Sequence, residues 1–188
     1  MKRIIICIVA ALCALSLNAQ NSEQIISKIE KSYSSSQTVQ EKFSEVLTPA
    51  DKSAKQKMRD GKFEFKPGYM KMDYSNGDLF LIEGTTMTIK NGTANQKFDL
   101  TKNLMMKGLS NTLTYVFQGQ LTKLATEQNA DITATKDGSF YLVTLTAKKK
   151  APRGYSQIVA YYRTSDCKLY SLRMDEFTGA STFYSVTK

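Results

Sequence analysis

Apolar and polar positions alternate along Gly61–Ile89, and this alternation predicts consecutive β-strands. Side chains two residues apart on a strand lie on the same face of a sheet. The apolar positions of this stretch are Phe63, Phe65, Met70, Met72, Tyr74, Phe80, Ile82, Met87 and Ile89. The opposite face of the first two predicted strands carries the charged residues Lys62, Glu64, Lys71 and Asp73. The pattern therefore predicts a curved antiparallel sheet with one apolar face rich in Met and Phe.

Similar patterns predict strands on both sides of this stretch. Val39, Phe43 and Leu47 mark an earlier strand, and a polar loop follows it over Thr48–Lys57. The later strands are predicted at Ile132–Thr135, Phe140–Ala147, Gln157–Arg163, Leu169–Phe177 and Thr182–Thr187. Tight hairpin turns are indicated by Asn76-Gly77, Asn91-Gly92 and Asp137-Gly138, and more weakly by Thr178-Gly179, because these residue pairs tolerate positive φ.

Two segments have helical periodicity instead. Ser22–Tyr33 carries Ile25, Ile26 and Ile29 on one stripe, and Ser22 is a suitable N-cap. Leu104–Glu127 places Leu109, Leu113, Phe117, Leu121 and Leu124 three or four residues apart, while Gly108 and Gly119 weaken this helix and can divide it into two. The predicted fold is mainly β (α+β): an unclosed antiparallel β-barrel, or strongly curved half-barrel, covered by an N-terminal helix and a central helical lid. The pattern alone leaves open whether the central segment is a fixed core helix or a movable lid.

The N-terminus has the features of a secretory signal peptide. Lys2 and Arg3 precede the uncharged run Ile4–Leu17, and Ala19 provides a small residue near the expected cleavage site. We expect residues 1–20 to be removed on export and residues 21–188 to form a single domain. Cys167 is then the only remaining cysteine, so an internal disulfide is excluded.

Removal of Lys2 and Arg3 lowers the formal charge from +9 to +7. A basic chain is attracted to anionic surfaces such as lipid headgroups. Lys148–Lys150 form a basic loop between two predicted strands, and the loop is either simply solvated or a docking patch. Nucleic acid is not an expected partner of an exported chain that lacks a dense basic and aromatic motif.

The residue types exclude several classes of chemistry. The chain contains no histidine, which excludes Ser-His-Asp and Cys-His catalysis and removes the commonest metal ligand. No phosphate-binding glycine loop or carboxylate cluster with metal-ligand spacing is present. Carboxylates from distant strands remain compatible with a glycosidase-like pair. The expectation is a protein without enzyme activity, cofactor or metal site.

A family resemblance adds to this interpretation. Gly61–Tyr74 (GKFEFKPGYMKMDY) resembles the characteristic motif of LolA-like outer-membrane lipoprotein carriers: a glycine, an aromatic strand, a basic residue followed by proline, and an alternating strand ending in an aromatic residue. Leu79–Ile89, Leu104–Glu127 and Asp175–Lys188 are similar to later elements of the family. The family's basic residue is often Arg, whereas this chain has Lys66, and the segment before Pro67 is one residue shorter.

The resemblance implies a periplasmic, monomeric carrier that moves acylated lipoproteins from the inner to the outer membrane. An inner-membrane ABC-type transporter would load it, and an outer-membrane acceptor would unload it. The implied lipid cavity is lined by Phe43, Phe63, Phe65, Met70, Met72, Tyr74, Phe80, Ile82, Met87, Ile89, Leu109, Leu113, Phe117 and Leu121. Lys66 is the implied latch of the lid. The alternatives are a lipid-binding or envelope-sensing module on the same fold and, for the lining residues, a dry core.

Overall fold

The computed structural model describes residues 21–33, 38–151 and 154–187. Within them, eleven strands form one sheet: β1 Val39–Thr48, β2 Lys57–Lys66, β3 Tyr69–Tyr74, β4 Leu79–Glu83, β5 Thr86–Asn91, β6 Ala94–Asp99, β7 Ala130–Asp137, β8 Phe140–Ala147, β9 Tyr155–Arg163, β10 Leu169–Glu176 and β11 Ser181–Thr187. The helices of this part of the chain are α1 (21–32), α2 (Leu104–Phe117) and α3 (Leu121–Glu127). The predicted signal peptide, residues 1–20, lies outside the described residues.

The strands are arranged as two meanders joined in the middle of the sheet. The order is β6-β5-β4-β3-β2-β1-β11-β10-β9-β8-β7, and every neighbouring pair is antiparallel. β1 pairs with β11, which joins the two halves of the chain. β6 and β7 are the two edges, and α2 and α3 connect them along the sequence. The predicted unclosed antiparallel sheet with helices is confirmed.

Contacts of α2 show how strongly the sheet curves. The last turn of α2 contacts β2, where the ring centroids of Phe117 and Phe63 lie 4.7 Å apart. The same turn contacts β9, because the Tyr162 hydroxyl donates a hydrogen bond of 2.9 Å to the Val116 carbonyl oxygen. β2 and β9 are four strand spacings apart, which is roughly 19 Å across a flat sheet. The sheet therefore wraps around α2.

The strand predictions are correct in place and differ at their ends by a few residues. β8 is as predicted, whereas β7 is four residues longer than Ile132–Thr135. β6 was missed by the sequence analysis. Its residues are exposed except for the half-buried Phe98, so this edge strand lacks a clear alternation of apolar and polar positions.

The helices differ from the predictions in three details. The described part of α1 begins at residue 21, so Ser22 lies within the helix, and its hydroxyl oxygen accepts a hydrogen bond from the Ala134 amide at 2.7 Å. Tyr33 lies just beyond the helix. The central segment divides at Gly119, whose φ is +63°, while α2 continues through Gly108 without interruption. A left-handed φ favours glycine because it has no Cβ.

Gly61 is needed because β2 and β3 approach closely at this position. A Cβ on Gly61 would lie 2.1 Å from the backbone oxygen of Asp73. We expect Gly61→Ala to lower the free energy of unfolding by about 2 kcal/mol or more, because the strands must separate to admit the methyl group. Urea unfolding followed by circular dichroism measures this change.

Gly108→Ala is the matched control. Gly108 lies inside α2 with open space around it, so alanine is expected to raise the free energy of unfolding by about 1 kcal/mol through its higher helix propensity. Equal stabilities for Gly61→Ala and wild type would show that the close approach of β2 and β3 is not a constraint.

Candidate functional site

Two cross-strand rows form the apolar face of β2–β5. In the first row, Phe65 pairs with Met70, Met70 with Ile82 and Ile82 with Met87. In the second row, Phe63 pairs with Met72, Met72 with Phe80 and Phe80 with Ile89. Seven of these eight side chains are buried, and Ile89 is partly buried. The antiparallel register therefore brings the predicted lining residues of β2–β5 onto one continuous surface.

The remaining predicted residues lie next to these rows. Phe43 of β1 and Tyr74 of β3 are buried, as are Leu113 and Phe117 of α2 and Leu121 of α3. Leu109 is partly buried against the same core. All fourteen predicted residues thus belong to, or pack against, one apolar cluster between sheet and helices. Their role in lining a lipid cavity stays a prediction.

No lining residues were predicted from the other half of the sheet, β7–β11. This half contributes an equally apolar inner face, and its largest fully buried side chains are Leu145, Ile158, Tyr162, Leu172 and Met174. The alternation of these strands was visible in the sequence. The lining implied by the resemblance, however, lies on the Gly61–Tyr74 side and in the helices.

The helices α1, α2 and α3 form a cover over the inner, apolar face of the sheet. Hydrogen bonds hold this helical cover in place at the end near Gly119. Burial raises the pKa of Tyr162 well above its usual value, so Tyr162 remains a neutral donor to Val116. The Glu30 carboxylate of α1 accepts a hydrogen bond of 2.8 Å from the Thr122 amide in the first turn of α3. Glu127 of α3 accepts hydrogen bonds from Asn111 and Tyr115 of α2. These contacts hold the three helices together around the turn at Gly119.

The first half of α2 borders an open cleft of about 670 Å³, named here the α2 cleft. Its other walls are the β8–β9 loop and the β10–β11 turn. Met106, Leu109 and Tyr155 line this cleft and also pack against the core cluster. Burial, with a contribution from Glu176, raises the pKa of Tyr155 to about 12. The α2 cleft is therefore an opening with an apolar inner wall that belongs to the core cluster and with polar side chains at its rim.

Two further clefts border the helical cover. One of about 660 Å³ lies at the α2–α3 junction and is lined by Tyr33, Phe65 and Phe117 among others. The other, of about 440 Å³, lies beside α2 above Phe65, Ile82 and Leu100. Ligand pockets in proteins usually have volumes of about 300–1,000 Å³. On both sides of α2, the helices are thus bordered by clefts as large as typical ligand pockets.

Lys66, the predicted latch, lies at the end of β2. It is adjacent to Phe65 and therefore faces the outer side of the sheet. Its Nζ atom lies 3.6 Å from a Glu64 carboxylate oxygen and 4.4 Å from the centroid of the Tyr69 ring. These contacts join Lys66 to β2 and β3. A latch role for Lys66 stays a prediction.

A buried polar cluster occupies the other end of the inner face. Glu45 is only 2% exposed, and its carboxylate lies 2.5 Å from Arg59 Nη2. The Tyr74 hydroxyl donates to the same carboxylate at 3.3 Å, and the Arg59 guanidinium lies 4.1 Å from the centroid of the Tyr74 ring. Asp78 lies 3.6 Å from Arg59, and hydrogen bonds from Gly92 and Asn76 lower its pKa. We call Glu45, Arg59, Tyr74 and Asp78 the Glu45 cluster.

This cluster was not predicted from the sequence, and Tyr74 was expected only to line the cavity. The signal was present, because Glu45 is two residues from both Phe43 and Leu47 and therefore shares their face. A buried carboxylate is costly unless it is paired. Arg59 pairs with it from the adjacent β2, and the register places the two residues opposite each other.

Within residues 21–33, 38–151 and 154–187, no group of three or more His, Cys, Asp or Glu side chains is arranged to hold a metal ion. Among the helices of the same ranges, none is long and apolar enough to span a membrane.

Arg59 is expected to be essential for stability because it compensates the buried Glu45. Arg59→Met leaves the carboxylate without its cation and should lower the free energy of unfolding by about 3 kcal/mol. In the double variant Glu45→Leu with Arg59→Met, both charges are absent, and much of that stability should return. Urea denaturation of the wild type, of Arg59→Met and of the double variant tests this expectation. It would be refuted if Arg59→Met were as stable as the wild type.

Comparisons with known proteins give matches among solved structures only. Searches of protein-family models and of curated proteins give no match. A LolA superfamily protein from Nitrosomonas europaea is 8% identical, with a TM-score of 0.40 over 89% of this chain and 91% of that chain. A putative outer-membrane lipoprotein-sorting domain from Vibrio parahaemolyticus is 10% identical, with a TM-score of 0.43 over 91% and 92%.

The lipoprotein LppX from Mycobacterium tuberculosis is 11% identical, with a TM-score of 0.44 over 88% of this chain and 94% of that chain.

Proposed function

We propose that the protein is a periplasmic carrier that binds the acyl chains of lipoproteins and moves them from the inner to the outer membrane. It would act without catalysis, loaded by an inner-membrane ABC-type transporter and unloaded by an outer-membrane acceptor. The observation that carries the proposal is the α2 cleft. It opens at the surface beside Leu104 and is walled by Met106 and Leu109, which also pack against the core.

The inner face is suited to an irregular apolar ligand. Met70, Met72, Met87 and Met174 are all buried on it. Methionine side chains are unbranched and adapt their shape to what they contact. Movement of the first half of α2 away from the sheet would extend the α2 cleft to this surface, while the contacts around Gly119 keep the other end of the cover attached.

The energetics of acyl-chain burial account for the need for partners. Each buried methylene contributes about 0.8 kcal/mol. Partial burial of two chains therefore stabilises the complex by roughly 10 kcal/mol or more, and release into water is negligible. Hand-over then requires direct contact with an acceptor. Loading must be driven, because the donor membrane offers comparable burial.

A charge introduced into the α2 cleft should weaken ligand binding. Met106→Glu places a carboxylate on the apolar wall, and we expect the affinity for a fluorescent hydrophobic dye and for a triacylated lipoprotein to fall about tenfold or more. Fluorescence titration measures the dye, and copurification measures the lipoprotein.

Met58→Glu is the control for this experiment. Met58 is 77% exposed on β2, away from the α2 cleft, so its replacement should leave both affinities unchanged. If neither dye nor lipoprotein binds to the wild-type protein, the proposed function is wrong. Mass spectrometry of lipid that copurifies from the native envelope would identify the cargo.

A lipid-binding or envelope-sensing module is the second candidate. The inner-face side chains are almost completely buried beneath the helices, so the space for a ligand is limited to the clefts beside α2, which suits one small amphiphile better than several acyl chains. An extraction assay separates the two functions. A carrier should release lipoproteins from membranes when its transporter and ATP are supplied, whereas a sensor should bind lipid without extracting lipoproteins.

The latch prediction for Lys66 can be tested in the same assay. If Lys66 holds the lid as the resemblance implies, Lys66→Leu should load with cargo yet fail to transfer it to acceptor membranes. Transfer at the wild-type rate would instead assign Lys66 to the outer surface, where it contacts Glu64 and Tyr69.

A further inference from the structure

The first turn of α2 presents two adjacent apolar side chains to solvent. Leu104 is 78% exposed and Met105 is 48% exposed. Of the five large apolar side chains exposed among the described residues, these two are the pair that is adjacent in sequence. The turn is held by its N-cap, because the Asn103 side-chain oxygen accepts a hydrogen bond of 3.1 Å from the Met106 amide. Folding therefore keeps this apolar pair at the surface.

Cationic side chains lie beside this pair. Lys149 lines the α2 cleft together with Leu104 and Met105. Its neighbours Lys148 and Lys150 are exposed in the same β8–β9 loop, although Lys148 pairs with Asp131 at 3.2 Å. The acidic residue of the cleft wall is Glu176, whose carboxylate accepts a hydrogen bond from the Thr178 hydroxyl. The mouth of the cleft therefore combines apolar side chains with an excess of positive charge.

We propose that this surface, named the α2 tip and formed by Leu104, Met105, Lys149 and Lys150, docks on a bilayer of anionic phospholipid. Leu104 and Met105 enter the boundary between headgroups and acyl chains, while the two lysines contact lipid phosphates. Apolar burial and electrostatic attraction to anionic lipid together govern such interfacial binding. This inference rests on the proposed function. In a carrier, docking would place the α2 cleft against the membrane that supplies or receives the acyl chains.

Charge favours a bilayer over a second copy of the chain as the occupant. A symmetric dimer through the α2 tip would bring the Lys148–Lys150 loops of both copies toward each other. Like charges in contact oppose association, whereas a layer of anionic headgroups attracts them. A bilayer also accepts the apolar pair without a preformed pocket.

Vesicle cosedimentation tests the proposal with the mature protein recovered after export. The wild type should bind vesicles of phosphatidylglycerol and phosphatidylcholine mixed in equal amounts, bind pure phosphatidylcholine much more weakly, and dissociate as salt is added. Lys149→Gln should reduce partitioning about fivefold, as expected for one lysine near the surface. Leu104→Asp should reduce it about tenfold or more, because it removes apolar burial and adds a repelled charge.

Two controls match these variants on other parts of the surface. Met58→Asp replaces an equally exposed apolar residue of β2, and Lys136→Gln replaces an exposed lysine at the far end of β7. Both should bind mixed vesicles like the wild type. Equal binding of wild type to both vesicle types, or unchanged binding of Leu104→Asp, would overturn the proposal. So would a dimer in solution that Leu104→Asp dissociates, because a second copy would then cover the tip.

Dye titration of the same proteins separates this proposal from the proposed function. If the wild type binds mixed vesicles through the α2 tip but binds neither dye nor lipoprotein, docking is supported and the carrier function fails. If dye and lipoprotein bind but mixed vesicles do not, the carrier function stands and docking is overturned.

Discussion

An antiparallel sheet with one apolar face must cover that face, and this constraint organises the whole molecule. The sheet does not close, since β6 and β7 remain its edges and the helices between them lie against the inner face. Burial of such a surface is the dominant favourable contribution to folding. The hydrogen bond from Tyr162 to the Val116 carbonyl attaches the cover to the sheet and satisfies a buried polar group at the end of α2.

The two ends of the inner face have different chemistry. At one end the Glu45 cluster places a paired carboxylate and guanidinium among apolar side chains, which fixes the β1–β2 register but tolerates little change. Around the helices, clefts lined by both apolar and polar side chains lie on both sides of α2. This division suits a protein in which the sheet around the Glu45 cluster is held in place and the helices remain accessible to a ligand. If the sheet around the Glu45 cluster stays in place, the first half of α2 could move without unfolding the rest of the domain.

The placement of charge relates the proposed carrier to the membranes between which it would move. Acyl chains do not cross water at an appreciable rate, so entry and exit require a mouth that meets a lipid or protein surface directly. Leu104 and Lys149 lie on opposite walls of the α2 cleft, which brings an apolar and a cationic side chain to the same opening. Docking and ligand entry would then use a single surface.

Period-two alternation in the sequence determined that Phe63, Met70 and Met72 share one face, because adjacent strand residues must point to opposite sides. The register among strands, and with it the rows across β2–β5, required the tertiary structure. The sequence did not reveal β6, whose residues are exposed apart from the half-buried Phe98, or the pairing of Glu45 with Arg59, which depends on the β1–β2 register. Only the folded chain showed that Lys66 contacts Glu64 and Tyr69 and that Leu104 stays exposed, because contacts and burial are decided by what packs against each residue.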